Sequence, residues 1–448
     1  MKNVFKTVCI VVTVLISSNI IGQEGVSSGS YAMARSNSQI SHQDVYVEDF
    51  INYHKHQITI PETEDVAITI DYDTSILNSK DEFILQVGLA TQEIKHRKKR
   101  NTVNVNMVLD RSGSMSGSKI ALVKKAMITF VKSLSPEDYF SLVQFDSKAQ
   151  VVIKNHQIGN DLSRIIRQIE GIHSGGSTNL SSGIIKGYKE AEKQNSNRVN
   201  SRVIVLTDGM TNEGETDLEK LLQLSKNYTK KGIEISTIGV GNSLDFNLLK
   251  QLALDGNGSN HFIGEHEEEI QKVFVDEAQS LLYQIGKEPM VTITLPNTFK
   301  IVDFYGYQPI YDGDNKIRVP LENLNAGSTQ VLLLKVKSKA KKGKIAVKLD
   351  YINSEKEKEH FVLNNTYTSS SSTLNKEVSK NYHLAYMATN YKKAIKEYEN
   401  SNFGIVKSIV EKTKLEVNKC NYNDVDIDRL LALFDKFPTE NHAIVNRY

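Results

Sequence analysis

The sequence has little cysteine, little proline and almost no net charge, and each shortage excludes a class of protein. Two cysteines in 448 residues cannot build a disulfide-rich scaffold, and no cysteine–histidine cluster has the spacing of a structural zinc site. Seven prolines against 26 glycines exclude a proline-rich stalk. A formal charge of +2, from 55 basic and 53 acidic residues, gives no reason to expect a dedicated nucleic-acid binder. The remaining composition, 39% hydrophobic and 24% charged, is typical of a globular protein.

The first 23 residues have the layout of a secretory signal peptide. Lys2 and Lys6 form a short basic region, and an apolar core follows over residues 8–16. That core is shorter than the roughly 20 residues that span a bilayer. We therefore expect an exported protein, located in the periplasm, on the cell surface or outside the cell, with an uncleaved anchor as the alternative. Residues 24–45 form a leader rich in small and polar residues, which predicts disorder.

Hydrophobic patterning divides the rest of the chain into four parts. Residues 46–100 contain a short helix and two strands with period-two alternation, which suits an antiparallel sheet exposed on one face. Residues 101–285 alternate apolar strands with amphipathic helices, which indicates an α/β fold with an open, mostly parallel sheet and helices on both faces. A β region covers residues 286–368, and residues 374–448 form a C-terminal helical region.

The two β regions on either side of the α/β unit have similar patterning. The first has too few strands to form a stable sheet alone. We therefore predict that residues 60–100 pair with strands of residues 286–368 in one discontinuous β domain. Such an insertion is feasible because the ends of a domain often lie close together at its surface.

Five oxygen-bearing side chains occupy the loops where ligands bind in α/β proteins. Asp110, Ser112 and Ser114 form a D-x-S-x-S motif directly after the first apolar strand, Thr178 precedes a helix, and Asp208 ends another apolar strand. The carboxyl ends of parallel strands meet at one edge of an open sheet. Hydroxyl and carboxylate oxygens are hard donors that suit Mg²⁺ or a similar divalent ion. Mg²⁺ takes about six oxygens, which leaves room for an incoming Asp or Glu of a partner.

These residues resemble the metal-ion-dependent adhesion site of von Willebrand factor type A (VWA) domains, which have a Rossmann-like fold. The resemblance covers residues 101 to about 285 and includes all five motif positions. It implies that Ser112, Ser114 and Thr178 ligate the metal and that Asp110 and Asp208 bind it directly or through water. Mn²⁺ and Ca²⁺ are the alternatives to Mg²⁺.

Other segments resemble the bacterial YfbK-type VWA proteins. They are VEDFINY at residues 47–53, GNGSNHF at residues 256–262 and the helical ending from Tyr382. The resemblance implies export and a C-terminal region of unassigned function. It supplies neither a substrate nor a partner.

Several other residues are weaker candidates for chemistry. Arg111 lies inside the motif and would favour an anionic ligand if its side chain points to the mouth of the site. We interpret His54 and His56 as surface histidines, because no third metal ligand accompanies them. His383 has no acidic or nucleophilic neighbour in the sequence, and Cys420 is a lone thiol without an evident base.

Two functions fit these observations. The preferred one is an exported, non-catalytic protein that uses the metal to capture an acidic residue of a protein partner. The alternative is an accessory factor for envelope assembly or maintenance that acts with an enzyme or an ATPase. An enzyme is not expected, because the motif has no general base or nucleophile beside it and the chain has no Walker A loop or G-x-S-x-G elbow. Nucleic acid is not an expected partner, and membrane contact is expected only through an uncleaved signal segment.

Overall fold

The computed structural model describes most of the chain between residues 40 and 437. The described residues are 34, 40–77, 79, 81–93, 102–196, 199–208, 211–241, 244–263, 273–274, 277–278, 280–353, 357–368, 375–420 and 422–437. The predicted signal peptide, most of the predicted leader and the last eleven residues of the predicted helical region lie outside the described residues.

The described strands and helices follow one another in mixed order. The strands are β1 Val66–Asp73, β2 Glu82–Thr91, β3 Thr102–Asp110, β4 Tyr139–Phe145, β5 Ala149–Gln157, β6 Val199–Thr207, β7 Ile233–Val240, β8 Asn257–Ile263, β9 Gln284–Thr294, β10 Phe299–Tyr305, β11 Ile310–Tyr311, β12 Lys316–Pro320, β13 Leu324–Asn325, β14 Thr329–Ser338, β15 Lys342–Asn353 and β16 Lys358–Thr368. The helices are α1 Val47–Ile51, α2 Ser118–Ser133, α3 Leu162–Glu170, α4 Leu180–Glu192, α5 Leu218–Thr229, α6 Phe246–Asp255, α7 Lys376–Glu399, α8 Phe403–Asn418 and α9 Val425–Phe434.

The α/β domain is built on a six-stranded sheet with the strand order β5-β4-β3-β6-β7-β8. Every neighbouring pair is parallel except β4 and β5, which are antiparallel. Helices α2 and α3 contribute to the core on one face, and α4, α5 and α6 contribute to the core on the other. The central strand β3 is therefore buried along almost its whole length. The predicted α/β class with an open, mostly parallel sheet is confirmed.

Helix α4 lies unusually close to this sheet because glycines face it. A Cβ atom at Gly187 would lie 2.4 Å from Cγ2 of Val108, and one at Gly183 would lie 2.6 Å from Cδ1 of Phe145. Only glycine allows this approach without displacing the neighbouring side chains. Asn179 caps the N-terminus of this helix, because its side chain accepts a hydrogen bond from the backbone N–H of Ser182. These contacts fix the loop that precedes α4.

Two antiparallel sheets form a β-sandwich. Its strands come from the segments that precede and follow the α/β domain in the chain. The orders are β1-β2-β14-β10 and β11-β12-β9-β15-β16, with β13 paired to β9. Both sheets contribute to one hydrophobic core, in which the rings of Phe83 and Tyr367 stack at 4.1 Å. Strand β2 pairs with β14 from Ala90 opposite Thr329 to Glu82 opposite Lys337. The strand pairing on which the predicted discontinuous β domain depends is therefore present.

The C-terminal helices pack together with the segment that precedes β1. The rings of Phe50 in α1 and Tyr391 in α7 lie 6.1 Å apart within a shared core, and Lys392 Nζ donates to the carbonyl oxygen of Val45 at 2.8 Å. The sequence patterns placed these two segments in separate regions. No described helix combines the length and apolar character required to cross a membrane.

Helix α7 also covers the outer face of the sheet that contains β2. Val378 packs with Ile84 and Leu333, and Asn381 Nδ2 donates to Gln86 Oε1 at 2.9 Å. The expectation that this sheet exposes one face to solvent is therefore wrong for β2, which is buried on both faces. The polar Gln86 is buried because the helix supplies its hydrogen-bond partner.

Two further interpretations are wrong: the surface position of His54 and His56, and the absence of a base near Cys420. His54 and His56 are buried rather than exposed, and their rings lie 4.5 Å apart. His383 and Cys420, which the sequence separates by 37 positions, are in contact. In both cases the folding of the C-terminal helices against the rest of the chain creates the environment.

Buried ion pairs join the α/β domain to its surroundings. Lys250 of α6 pairs with Asp49 of α1 at 3.0 Å and with Glu322, which precedes β13, at 3.4 Å. Glu234 of β7 pairs with Lys287 of β9 at 2.7 Å. Ion pairs thus connect the α/β domain to helix α1 and to strand β9 of the sandwich.

Candidate metal centre

The two motif carboxylates lie side by side at one edge of the central sheet. Asp110 is the last residue of β3, and Asp208 follows β6 directly. Strands β3 and β6 are parallel neighbours, with Leu109 opposite Leu206, so both carboxylates lie at the carboxyl edge of the sheet. Both are buried, with relative exposures of 0% for Asp110 and 2% for Asp208.

Four of the five predicted site residues are connected by hydrogen bonds. The backbone N–H of Ser112 donates to Oδ1 of Asp110 at 2.8 Å, and the hydroxyl oxygens of Ser112 and Ser114 are 3.0 Å apart. Ser114 Oγ in turn donates to Oδ1 of Asp208 at 2.8 Å. A short 3-10 turn over Gly113–Met115 brings the second serine back toward the sheet. The D-x-S-x-S spacing thus produces a compact cluster of oxygen atoms.

The fifth residue, Thr178, lies in an adjoining loop. Its backbone N–H donates to Oδ1 of Asn212 at 2.9 Å, and the N–H of Asn212 donates to the carbonyl oxygen of Thr178 at 3.1 Å. The same loop reaches the motif at Gly176, whose carbonyl oxygen accepts from the N–H of Gly113 at 3.0 Å. Gly176 has a φ of +90°, and a Cβ there would lie 2.8 Å from Asp146. Backbone contacts therefore hold the Thr178 loop against the serine loop.

The half-buried side chain of Arg111 is engaged by neighbouring loops. Its guanidinium forms an ion pair with Asp146 and donates to the carbonyl oxygen of His173 at 3.1 Å. The carboxylate of Asp146 therefore lies beside Gly176 in the Thr178 loop and also pairs with Arg111. Arg111 braces two loops, and an anion-binding role for it has no support in this geometry.

Two residues outside the predicted set, Lys119 and Thr207, donate hydrogen bonds to the motif carboxylates. Lys119 Nζ donates to Oδ2 of Asp208 at 2.6 Å, and Thr207 Oγ1 donates to Oδ2 of Asp110 at 2.6 Å. A lysine in the first turn of a helix is unfavourable beside the positive end of the helix dipole, so its position in α2 was a usable signal. Thr207 had no such signal, because a threonine inside a strand is ordinary.

The environment of Asp110 fits a divalent cation. Burial raises the pKa of Asp110, while hydrogen bonds from Thr207 and Ser112 oppose the rise. Among the residues that the structure describes, Asp110 forms no ion pair, so its buried charge lacks a protein cation. The described residues contain no cluster of three or more His, Cys, Asp and Glu side chains fit for a metal, and this site has only two carboxylates. Hydroxyls would therefore have to provide the remaining donors, as hard cations allow.

The fold and this loop geometry define the class of protein. Residues 104–276 match the von Willebrand factor type A domain family. The chain therefore contains a VWA domain, inserted into the β-sandwich and followed by the helical region.

The relatives extend beyond that domain. Protein YfbK of Escherichia coli is 26% identical over 277 residues, which cover 59% of this chain and 48% of that protein. Protein sll0103 of Synechocystis sp. is 31% identical over 179 residues, or 40% of this chain and 41% of that protein. Human inter-alpha-trypsin inhibitor heavy chain H1 is 30% identical over 206 residues, which cover 43% of this chain and 21% of that protein. The matches cover less than half the length of each of these relatives.

A solved structure has a similar fold. The von Willebrand factor type A protein from Catenulispora acidiphila superposes with a TM-score of 0.57 at 16% identity. The superposition covers 79% of this chain and 87% of that one, so the similarity of fold extends past the VWA domain.

Proposed function

We propose that this chain is an exported, non-catalytic binding protein that holds a divalent ion, Mg²⁺ or alternatively Mn²⁺ or Ca²⁺, and uses it to capture an Asp or Glu side chain of a partner protein. The observation that carries the proposal is the hydrogen-bonded cluster of Asp110, Ser112, Ser114 and Asp208, with the Thr178 loop against it. VWA domains often mediate protein–protein interactions and commonly bind a divalent metal at this motif, which supports the proposal.

The residues would divide the work according to their chemistry. The hydroxyls of Ser112, Ser114 and Thr178 would ligate the ion, and the two carboxylates would balance its charge directly or through water. Asp110 is oriented in advance, because the backbone of Ser112 and the hydroxyl of Thr207 already hold its two oxygens. An ion bound here would supply a Lewis-acidic position for an oxygen of the partner.

The net charge of the site favours an anionic partner. The two carboxylates carry two negative charges, and Lys119 offsets one of them at 2.6 Å from Asp208. A divalent ion would therefore leave the group with one net positive charge. Such a centre attracts a carboxylate and repels a second cation, and the attraction is strongest at low ionic strength.

The metal part of the proposal is tested by calorimetric titration of Mg²⁺ and Mn²⁺ into the full chain. We expect one binding site in the wild type, and its loss in Ser114→Ala and in Asp110→Ala. Ser116→Ala is the matched control, because Ser116 is an exposed serine of the same loop outside the motif. A Ser114→Ala chain that binds the ion as well as the wild type would contradict the ligand set.

The partner part is tested by capture from a cell-envelope extract, in parallel with Mg²⁺ and with EDTA. We expect a protein that is retained by the wild type and by Ser116→Ala, and lost with EDTA or in Asp110→Ala. Binding that survives both EDTA and Asp110→Ala would refute capture through a metal. Repeated recovery of an ATPase in the metal-dependent fraction would favour the accessory-factor alternative.

Export is tested separately by N-terminal sequencing of the mature protein recovered from outside the cytoplasm. We expect a mature terminus near residue 23. A protein that retains Met1 and remains in the cytoplasm would contradict export without affecting the metal site.

A further inference from the structure

A cleft of about 830 Å³ lies in the C-terminal helical region, a part of the chain to which the VWA match assigns no role. It is lined by the first half of α7, the end of α8, described residues of the loop before α9, and three residues from the N-terminal part of the chain, Gln57, Ser75 and Ile76. Three lysines and three carboxylates are among its lining residues: Lys376, Lys380, Lys419, Glu377, Glu416 and Asp424. Its size is within the range of small-molecule sites.

A thiol and an imidazole meet at the wall of this cleft. Cys420 Sγ lies 3.4 Å from Nε2 of His383, and both residues line the cleft. Cys420 is exposed, while His383 is 3% exposed. The thiol therefore has a base within hydrogen-bonding distance, contrary to the interpretation of the sequence. The approach of α7 to the loop after α8 creates the pair, which the separation of 37 positions in the sequence concealed.

The imidazole is oriented so that its basic nitrogen faces the sulfur. Nδ1 of His383 lies 2.9 Å from the carbonyl oxygen of Ser379, which can only accept a hydrogen bond. In the tautomer with the proton on Nδ1, that proton is donated to this carbonyl oxygen and the lone pair of Nε2 points to Cys420. The hydroxyl of Tyr422 lies 2.8 Å from Nδ1 and 2.6 Å from Oγ of Ser379, which restrains the ring further. The thiol of Cys420, the imidazole of His383 and the groups that orient this imidazole thus lie next to one another in that order in space.

We propose that Cys420 is a nucleophilic thiol that undergoes exchange with a low-molecular-weight disulfide, with His383 as its base. The proton of the Cys420 thiol moves to Nε2 of His383 as the sulfur attacks one sulfur of the disulfide. A bond forms between those two sulfurs, the original S–S bond breaks, and the leaving sulfur departs with the electron pair and takes up the proton. One thiol and one disulfide are consumed, and one mixed disulfide and one thiol are produced.

Exchange with a disulfide makes fewer demands on this site than reaction with an acyl compound. Thiol–disulfide exchange needs a deprotonated sulfur, an accessible approach and a leaving thiol. Acyl transfer needs donors for a developing oxyanion as well. The exposed sulfur beside an oriented base meets the first set of requirements. Cys9, the only other cysteine of the chain, is in the predicted signal peptide, so removal of that peptide would leave the mixed disulfide without an internal thiol to resolve it.

The charges of the cleft indicate what kind of disulfide it accepts. Lys376, Lys380 and Lys419 lie on the same lining as three carboxylates. Lys380 pairs with Asp424 at 2.8 Å and Lys419 pairs with Glu416 at 2.7 Å, whereas Lys376 forms no ion pair among the described residues and can receive a carboxylate of a ligand. We therefore expect the substrate to be a small disulfide that carries carboxylates, for which oxidised glutathione is the probe.

The resting state of the pair makes the base testable. Although Cys420 is exposed as a residue, partial desolvation of its sulfur raises the pKa of the thiol, with a further contribution from Glu416, and burial lowers the pKa of His383. The resting pair is therefore a neutral thiol and a neutral imidazole. A thiol of this kind reacts slowly near neutral pH unless a base removes its proton, so the rate depends directly on His383.

The experiment measures the rate of mixed-disulfide formation with oxidised glutathione at pH 7.5 by intact mass. It uses the full chain in a Cys9→Ser background, so that Cys420 is the only thiol. We expect His383→Asn to slow the reaction on the order of tenfold or more, because general-base catalysis commonly contributes at least that much. His360→Asn, which changes an exposed histidine of β16, should leave the rate unchanged. Imidazole added to a His383→Ala chain should restore part of the lost rate.

The contrary results are equally defined. A folded His383→Asn chain that reacts within threefold of the parent overturns the proposal, as does a parent chain that forms no adduct. If His383→Asn does not fold, the parent chain is compared in its native and urea-unfolded states at the same pH. A faster native reaction supports the base, and a slower native reaction overturns it.

Discussion

The buried lysine between the VWA domain and the N-terminal helix allows a quantitative test of how the parts are held together. The side chain of Lys250 is 1% exposed, and its ammonium lies 3.0 Å from Oδ1 of Asp49 and 3.4 Å from Oε1 of Glu322. It also lies 5.3 Å from the centre of the Tyr46 ring, within the range of a cation–π contact. Burial opposes the charge of Lys250, but the surrounding carboxylates outweigh it and hold its pKa above the ordinary value.

Replacing Lys250 with Met removes the charge and keeps most of the volume. Asp49, which is fully buried, then loses a direct cation partner, and so does Glu322. Burial already raises the pKa of Glu322, and Lys250 opposes that rise, so loss of the lysine favours protonation of this group. Removing one partner of a buried pair costs about 3–5 kcal/mol, and we expect Lys250→Met to fall in that range. The loss is large against a typical folding free energy of about 5–15 kcal/mol.

The assay is urea unfolding followed by circular dichroism, because the chain has no tryptophan to report by fluorescence. Lys220→Met is the control, since Lys220 pairs with Glu215 on the exposed surface of α5 and should not change the midpoint measurably. The double change Lys250→Met with Asp49→Asn should be less destabilising than the sum of the single changes, because it removes a buried charge along with its partner. A loss below about 1 kcal/mol for Lys250→Met, or strict additivity in the double variant, would refute this reasoning.

Three further predictions follow from other contacts. Burial lowers the pKa of His54 from its ordinary 6.5 to about 3, so the unfolded state binds more protons than the folded state between these pH values. The free energy of unfolding should therefore fall by up to about 1.4 kcal/mol per pH unit as the pH drops below 6.5. The midpoints of urea unfolding should fall less steeply with pH in His54→Gln than in the wild type. Gly187→Ala should cost about 1–3 kcal/mol through its overlap with Val108, whereas Gly404→Ala, with open space around it, should be neutral or stabilising in the same thermal melts. Lys119→Met should raise the affinity for Mg²⁺ several-fold in calorimetry, because a competing cation is lost; an unchanged affinity would mean that the lysine does not affect the ion.

The order of elements in the VWA domain was predictable where burial is continuous. The largely apolar run over residues 139–145 predicts a strand and forms β4 with those bounds, because a strand covered on both faces is mostly apolar along its length. The hydrophobic pattern did not predict strand β8, because its sequence NGSNHFI contains no continuous apolar run. It fits because Gly258 lies against the backbone of β7, where a Cβ would come within 2.0 Å of the Ile235 carbonyl oxygen.

The edge that collects the motif was predictable for a topological reason. The carboxyl ends of β3 and β6 must lie side by side if the two strands are parallel neighbours, so Asp110 and Asp208 meet. No comparable rule predicts the contact between Cys420 and His383, because this contact depends on how α7 packs against the loop after α8. The same packing covers β2 and buries His54. Helix patterns identify an apolar face but not the surface that the face will cover.

The central claim is that the motif at the sheet edge binds a divalent cation through hydroxyl groups. Anomalous diffraction from crystals soaked in Mn²⁺ tests it directly, because manganese is located independently of the protein atoms. The account predicts one strong peak within bonding distance of the hydroxyls of Ser112, Ser114 and Thr178, and no peak there in Asp110→Ala crystals. A wild-type crystal without a peak at this position, or a peak that persists unchanged in Asp110→Ala, would contradict it.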